Sequence, residues 1–359
     1  MSKEYTSLGL MSGTSGDGVD ASVIKSDGKT KYKLIVDKYL KYSQEISDDI
    51  YNLREKVNNS KDLEKTSKEL EFLEKKITLF HAQVAENIIK ETKVDIVGFH
   101  GQTIFHNSKE KISKQLGDGK LLSILLKKNI IYKFRQNDLE NNGEGAPLTP
   151  IFHKLIVDQN KINLPVTILN LGGIANITSV NVEKDMSSSD IGPGNCLIDQ
   201  WIKINSKKNY DENGNIAESG KVNKTILDQA LDNFYNNGIS QNKSYDVKDF
   251  DLSFVRGLSL EDGAATLTEY TSQILSNKLS NNTVFLCGGG RKNKFLVKSI
   301  QKKIKGQIKI IDDLGIDGDF VESQAFAYLA IRSYLKLPIS FPETTGCLKA
   351  CTGGEIIRF

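Results

Sequence analysis

Cysteine, histidine, tryptophan and long apolar runs are all scarce in this chain. Its 359 residues include four cysteines, four histidines, one tryptophan and six prolines. Cys196, Cys287, Cys347 and Cys351 form no Cys-x-x-Cys pair and have no histidine-rich neighbour, which argues against both a disulfide framework and a structural zinc site. They are expected to be reduced packing residues. No apolar run approaches the ~20 residues needed to span a bilayer. The opening Met-Ser-Lys-Glu-Tyr leads almost directly into a glycine-rich loop, with no room for the apolar core of a signal peptide. The expected compartment is the cytoplasm, with no membrane partner. The formal net charge of +3 is spread along the chain, so no basic block marks a nucleic-acid surface.

What is present suits an α/β protein too long for one ordinary core; two domains of about 150–200 residues, facing a cleft, are expected. Tyr5 to Met11 and Val19 to Ile24 read as strands around a Ser/Gly/Asp loop, the grammar of a hairpin. Leu63, Leu70, Leu73, Ile77, Phe80, Val84 and Ile88 recur with helical spacing, predicting one amphipathic helix that covers a sheet. Val94 to Phe99 predicts a short buried strand with His100-Gly101-Gln102-Thr103 at its end. Leu121 to Lys128 predicts a helix, followed by a strand into a polar loop from Arg135 to Pro150. The opening grammar then repeats: Val166 to Leu171 is a strand, Gly172-Gly173 a turn and Asn176 to Val182 a returning strand. Thr283 to Cys287 is a strand that breaks at Gly288-Gly289-Gly290 before a basic helix, and a last helix runs from near Asp319 to Leu335.

The loop Gly13-Thr14-Ser15-Gly16-Asp17-Gly18-Val19-Asp20 offers small residues and hydroxyls that can close around phosphate oxygens. Gly18 in particular is expected to need positive φ and close approach to phosphate. The loop lacks a Walker lysine, its glycines do not fall as Gly-x-Gly-x-x-Gly, and it leads into a strand, so P-loop and Rossmann readings both fail on context. A plain hairpin turn is the alternative. Two strand–glycine–strand turns and one strand–glycine–helix step together suit two phosphate hairpins and an adenosine-side step.

These motifs carry a family resemblance over nearly the whole chain. Gly9-Leu10-Met11-Ser12-Gly13-Thr14-Ser15, Gly98-Phe99-His100-Gly101-Gln102-Thr103, Phe134-Arg135-Gln136-Asn137-Asp138 and Gly145-Ala146-Pro147-Leu148 come in order. Asn170-Leu171-Gly172-Gly173-Ile174-Ala175-Asn176, Gly192-Pro193-Gly194-Asn195 with Asp199, Cys287-Gly288-Gly289-Gly290 and Glu322-Ser323-Gln324-Ala325-Phe326-Ala327 follow. In these stretches the chain resembles the anhydro-N-acetylmuramic acid kinases. It departs from the family pattern at Gly16, where a bulky apolar residue is usual. It departs again at Asn142-Gly143, where two glycines are usual, at Glu144 in place of Gln, and at Tyr245-Asp246 after Lys243-Ser244 in place of a Thr-Gly turn.

The resemblance implies an actin-like, two-domain ATPase fold with ribonuclease H-like lobes and an interdomain active-site cleft. The expected lobes are 1–134 plus 340–359, and 135–339. It implies ATP and Mg2+ as cofactors, 1,6-anhydro-N-acetylmuramic acid as small-molecule substrate, and a homodimer. Water would open the 1,6-anhydro bridge while the freed oxygen takes the γ-phosphoryl group, in peptidoglycan recycling and amino-sugar catabolism. Asp190 matches the catalytic base, a carboxylate expected on a rigid turn at a helix entry. Glu322 is either a second active-site carboxylate or the partner of Asp319 in a capping box. Gly13 to Asp20, Gly172, Gly173, Asn176 and Gly288 to Gly290 fall to the nucleotide, with Asp17 and Asp20 either on magnesium-bound waters or simple turn residues. His100, Gln102, Arg135, Asp138, Gly192, Pro193 and Asn195 fall to the sugar. For four of these a structural role stands beside that one: a satisfied histidine for His100, a surface pair for Arg135 and Asp138, and an N-cap for Asn195. A kinase for another amino sugar, or a non-catalytic actin-like or chaperone-like ATPase module, are the alternative functions.

Overall fold

The computed structural model describes residues 3–236, 244–279 and 282–359, and they fall into two compact units. Unit 1 is Met1–Ile162 with Phe320–Phe359, and unit 2 is Asn163–Asp319. The division differs from the expected one: residues 135–162 and 320–339 belong with the first unit. The reason is packing, since the last long helix buries its small face on the first sheet.

In unit 1 the chain runs β1 (Tyr5–Ser12), β2 (Gly18–Ser26), β3 (Tyr32–Lys41), α1 (Gln44–Lys56), α2 (Ser60–Lys65) and α3 (Ser67–Ile89). It continues with β4 (Ile96–Asn107), β5 (Ile112–Leu116), α4 (Gly119–Leu126), β6 (Asn129–Tyr132), α5 (Gln136–Glu140) and α6 (Pro150–Gln159). The single amphipathic helix expected from Leu63 onward is broken at Thr66, where Asp62 accepts the Thr66 N–H and hydroxyl at 3.0 and 2.7 Å, so Leu63 lies on α2 and the rest on α3. With the C-terminal strand β12 (Glu355–Ile357) at one edge, sheet order is β12-β6-β4-β1-β2-β3, with β5 on β4. β1, β2 and β3 form an antiparallel meander, and β4 and then β6 extend the other side of β1 in parallel.

Unit 2 begins with β7 (Val166–Leu171), β8 (Ile174–Val180) and β9 (Met186–Pro193), then α7 (Cys196–Asn205), α8 (Asn215–Ser219), α9 (Lys224–Asn236) and α10 (Leu260–Lys278). β10 (Thr283–Cys287), α11 (Lys294–Gln301) and β11 (Ile308–Ile310) complete it. Sheet order is β11-β10-β7-β8-β9, again an antiparallel three-strand meander, extended on the other side of β7 by β10 and then β11 in parallel. The chain then returns to unit 1 with α12 (Val321–Tyr334), α13 (Pro342–Thr345) and β12 (Glu355–Ile357), the last paired with β6.

One core of unit 1 joins Leu8, Leu10, Val19 and Ala21 to Ile50, Leu73, Ile77 and Val84 of α1 and α3. On the other side α12 lies directly on the strands. A Cβ on Gly9 would stand 2.0 Å from the Ser323 carbonyl, and one on Gly98 would stand 2.5 Å from that of Phe326. Two motif glycines are therefore packing residues that admit a helix backbone against the sheet. In unit 2 the core joins Leu169, Leu171 and Ala175 to Leu197, Trp201, Leu267 and Ile274 of α7 and α10. None of the described helices is long and apolar enough to cross a membrane.

Candidate active site

In unit 1 the loop 13–17 connects β1 to β2; its backbone is tied by the Tyr42 N–H to the Asp17 carbonyl at 2.9 Å and the Gly16 N–H to the Gly13 carbonyl at 3.2 Å, and the remaining holds are side chains. Gln102 donates to the Gly13 carbonyl at 2.9 Å, and its Oε1 accepts from Ser12 Oγ at 2.6 Å. Ser12 accepts in turn from the Tyr42 hydroxyl at 3.0 Å. Arg54 donates to the Thr14 carbonyl, and Tyr39 to the Asp17 carbonyl at 3.1 Å. Thr14, Ser15 and Asp17 are exposed, and Ser15 donates to the Asp17 carboxylate. The positive φ falls on Gly16, at +63°, and not on Gly18. Gly18 is instead confined by its own sheet: a Cβ there would lie 2.5 Å from the Leu40 carbonyl and 2.6 Å from the Tyr39 ring. A bulky residue at position 16, usual in the family, would meet both the left-handed backbone and Ile50 at 3.0 Å. Val19 is buried in β2, and Asp20 is half-buried one residue on. Burial first, and the Asp17 and Asp20 charges after it, push the Tyr39 hydroxyl above its ordinary range.

His100 and Gln102 are not at a strand end, because β4 runs on to Asn107. The parallel register with β1 jumps from Leu10↔Phe99 to Met11↔Gly101, which leaves His100 as a bulged residue, a device that re-aims a side chain. Its Nδ1 lies 2.8 Å from the Gly101 carbonyl and so carries the proton, while Nε2 accepts from Arg135 at 2.9 Å. Burial, reinforced by the Arg135 charge, holds its pKa well below 6.5. With its lone pair taken by a guanidinium, His100 orients Arg135 and does not act as a base. Arg135 also donates to the Gly145 carbonyl at 2.8 Å. Asp138 is buried and accepts from the Gly145 N–H at 2.7 Å and the Thr345 hydroxyl at 2.6 Å. The carboxylate also stands 2.1 Å from where a Gly143 Cβ would sit, so that glycine is required by Asp138. Glu322 lies half-buried in the first turn of α12, where the helix dipole favours a carboxylate. The capping box is not formed: Phe320 holds the N-cap position, and the Asp319 carboxylate binds Arg291 and Lys292.

In unit 2 the β7–β8 turn is held by backbone. The Gly173 carbonyl accepts from Gly194 at 2.9 Å and Cys196 at 3.2 Å, and that of Gly172 from Asn195 at 2.9 Å. A Cβ on Gly194 would stand 2.1 Å from the Gly172 oxygen. Asn195 takes the N-cap position of α7 but makes no side-chain cap bond; its Nδ2 would lie 2.7 Å from a Cβ on Gly290. Asp190 lies within strand β9 and not on a turn, and its Oδ2 accepts the Tyr245 N–H at 2.9 Å. Gly192 and Pro193 end that strand. Burial, and then the Asp190 charge, push the Tyr245 phenol up to about 12. Asn170, Asn176 and Asp190 are consecutive cross-strand partners on β7, β8 and β9, so they form one polar row. Lys243, which precedes the departure at Tyr245-Asp246, lies outside the described residues.

Gly288 leaves β10 with φ +79° and donates to the Gly318 carbonyl at 2.9 Å. A Cβ on Gly289 would meet nothing within 4 Å. Sequence reading missed Arg291, which is 9 % exposed and donates to Asp312 at 2.7 and 2.8 Å, to Asp317 at 3.0 Å, to Asp319, and to the Gly288 carbonyl at 3.1 Å. Burial works against its charge, but the hydrogen bonds of Asp312 and Asp319 more than offset it, and its pKa rises. The available signal was an arginine directly after three glycines, with several aspartates at 312–319.

Among the described residues no group of three or more His, Cys, Asp or Glu is placed to hold a metal ion. Asp17 and Asp20 supply hard oxygen donors in a pair, which suits Mg2+ arriving with phosphate and keeping most of its waters. In unit 1 the exposed hydroxyls of Thr14 and Ser15, and in unit 2 the open space over Gly289, each suit contact with phosphate or nucleotide.

Two units that share a five-strand core order, β6-β4-β1-β2-β3 and β11-β10-β7-β8-β9, each opening on a hairpin with small residues at its tip, define the duplicated ribonuclease H-like fold of the actin-like ATPases and sugar kinases. Residues 5–358 match the family described as Anhydro-N-acetylmuramic acid kinase. The anhydro-N-acetylmuramic acid kinase of Pelagibacter ubique (strain HTCC1062) is 54% identical over 373 residues, covering 100% of both chains. That of Zymomonas mobilis subsp. mobilis is 36% identical, covering 97% of this chain and 98% of its own. Among solved structures, the activator of the 2-hydroxyisocaproyl-CoA dehydratase from Clostridium difficile with bound ADPNP is similar with a TM-score of 0.45 and 13% identity, covering 91% of this chain and 94% of that one. The chain belongs to the anhydro-N-acetylmuramic acid kinase family.

Proposed function

We propose that this chain is an ATP-dependent kinase that opens the 1,6-anhydro bridge of 1,6-anhydro-N-acetylmuramic acid with water and yields N-acetylmuramic acid 6-phosphate and ADP. The reaction serves peptidoglycan recycling and amino-sugar catabolism in the cytoplasm. The observation that carries this reading is the end-to-end match to a relative of that name at 54% identity. Asp190 is the base: a carboxylate whose Oδ2 is fixed by the Tyr245 N–H presents a defined edge to water at the anomeric carbon. Glu322 is the second carboxylate of the reaction. The 13–20 loop, Gly172, Gly173 and Gly288 to Gly290 take the nucleotide, and Asp17 and Asp20 hold waters of Mg2+, which neutralises phosphate charge. Gly192, Pro193 and Asn195 flank the sugar. Arg135, aimed by His100, suits the lactyl carboxylate, with Gln102 and Asp138 fixing the loops around it. We also infer a homodimer, which sedimentation equilibrium checks.

The test follows the oxygen of water. In heavy-oxygen water, an early-quenched reaction gives a sugar phosphate labelled at the anomeric hydroxyl and unlabelled in the phosphoryl group. Label in the phosphoryl group means that water attacks phosphorus, and the role given to Asp190 is then wrong.

A further inference from the structure

The polar row of unit 2 contains an atom that the reading above leaves unexplained. Asn176 Oδ1 is buried and has no hydrogen-bond partner among the described residues. Native structures leave few such atoms, and each calls for an explanation: strain, a catalytic role, or a water or ion that completes it; of those among the described residues, Asn176 Oδ1 is the one directly opposite Asp190. Asn176 is the direct cross-strand partner of Asp190. The pairing is set by an irregularity: register passes from Ala175↔Gly192 to Asn176↔Asp190, so Ile191 has no partner and turns into the core at 1 % exposure. The bulge resets the alternation of β9 and puts Asp190 on the face of Asn176. Directly opposed residues hold their Cβ atoms about 4.5–5.5 Å apart, so the two polar heads can share one water.

Resting on the assignment of Asp190 as base, we propose that Asn176 positions the nucleophilic water by accepting its second proton in a hydrogen bond, and is not a phosphate contact. A water molecule has two O–H bonds. With one on Asp190 and the other on Asn176 Oδ1, both are fixed and a lone pair is left directed at carbon. In the step itself, the water oxygen bonds to the anomeric carbon as the bond from that carbon to the bridging oxygen breaks. The first proton passes to Asp190, and the bridging oxygen displaces ADP from the γ-phosphorus. Asn176 keeps its hydrogen bond throughout and is neither protonated nor consumed.

The test uses the full chain with magnesium-ATP and the bridged sugar, in water and in water containing methanol. Asn176→Leu removes the acceptor at nearly constant size. The expected kcat falls by about 10–100-fold, the scale of a misplaced reactant, with both KM values nearly unchanged. Methanol has only one hydroxyl proton and does not use the second acceptor, so the share of methyl glycoside phosphate should rise relative to wild type. Unchanged kcat overturns the proposal, as does a methanol share that does not rise. An ATP KM raised in proportion to the loss makes Asn176 a nucleotide contact and overturns it too. If Asn176→Leu does not fold by thermal melting, Asn176→Ser carries the same measurements. A wild-type protein that turns over no bridged sugar defeats the functional reading itself, an outcome distinct from all of these.

Discussion

The two hairpins, one in each unit, share a topology and differ in what holds them. The β1–β2 loop has one backbone tie from outside, the Tyr42 N–H to the Asp17 carbonyl, and otherwise hangs on side chains: Gln102, braced by Ser12 and Tyr42, with Tyr39 and Arg54. The β7–β8 turn is tied by backbone to the entry of α7 through Gly194, Asn195 and Cys196. A loop fixed by side chains can be loosened one residue at a time. A turn fixed by backbone is insensitive to most side-chain changes and intolerant of a Cβ at the point of contact. The histidines divide in the same way, since all four lie in unit 1, whereas the single tryptophan, Trp201, lies in unit 2.

That division makes acid the widest way to separate the units. Burial lowers His81 and His153 to about 4 from an ordinary 6.5. The folded state therefore refuses protons that the unfolded chain takes up. Stability is full above pH 6.5 and is lost as pH falls through the window from 6.5 toward 4. At pH 5 the two together cost about 4 kcal/mol. Urea unfolding at pH 7 and pH 5 should show the far-UV circular dichroism transition moving to lower urea, while Trp201 fluorescence moves less. Equal shifts of both signals break the comparison.

Next in size is Asp190→Asn, which should lower kcat by at least about 100-fold, or roughly 2.7 kcal/mol, with melting and ATP affinity retained. Near wild-type turnover removes Asp190 from its role. Gly194→Ala puts a methyl against the Gly172 carbonyl and should destabilise unit 2 by about 2 kcal/mol. Gly289→Ala, facing open space, should leave melting unchanged and weaken ATP binding in calorimetry; if the two variants melt alike, backbone contact is not what holds the turn. The smallest effect is Gln102→Leu, which breaks the bonds to Ser12 and Gly13 and should cost about 1 kcal/mol. It should raise the KM for ATP while leaving the Trp201 transition in place. A Trp201 transition that shifts with it means the units unfold as one.

Much of this was legible from local chemistry. Strand–glycine–strand grammar located both hairpins, β7 and β10 lie where their apolar runs predict, and the ordered motifs led to the family. The failures share a cause. Sequence alone puts His100 at a strand end because the bulge at His100 has no signature in composition, and puts Asp190 on a turn because Gly-Pro-Gly follows it so closely. The domain boundary was misplaced because α12 is distant in sequence from the sheet it covers. Arg291 was passed over because its aspartates lie more than 20 residues away.

The sequence by itself determined the hairpins, the small residues at their tips and the helix that packs on Gly9 and Gly98, because propensity, turn chemistry and side-chain volume act over a few residues. Only the tertiary structure decided that Gly16 and not Gly18 carries the left-handed backbone, that His100 spends its lone pair on Arg135, and that Asn176 and Asp190 face each other across β8 and β9. Those outcomes depend on register and burial, and both arise only when strands far apart in sequence are paired.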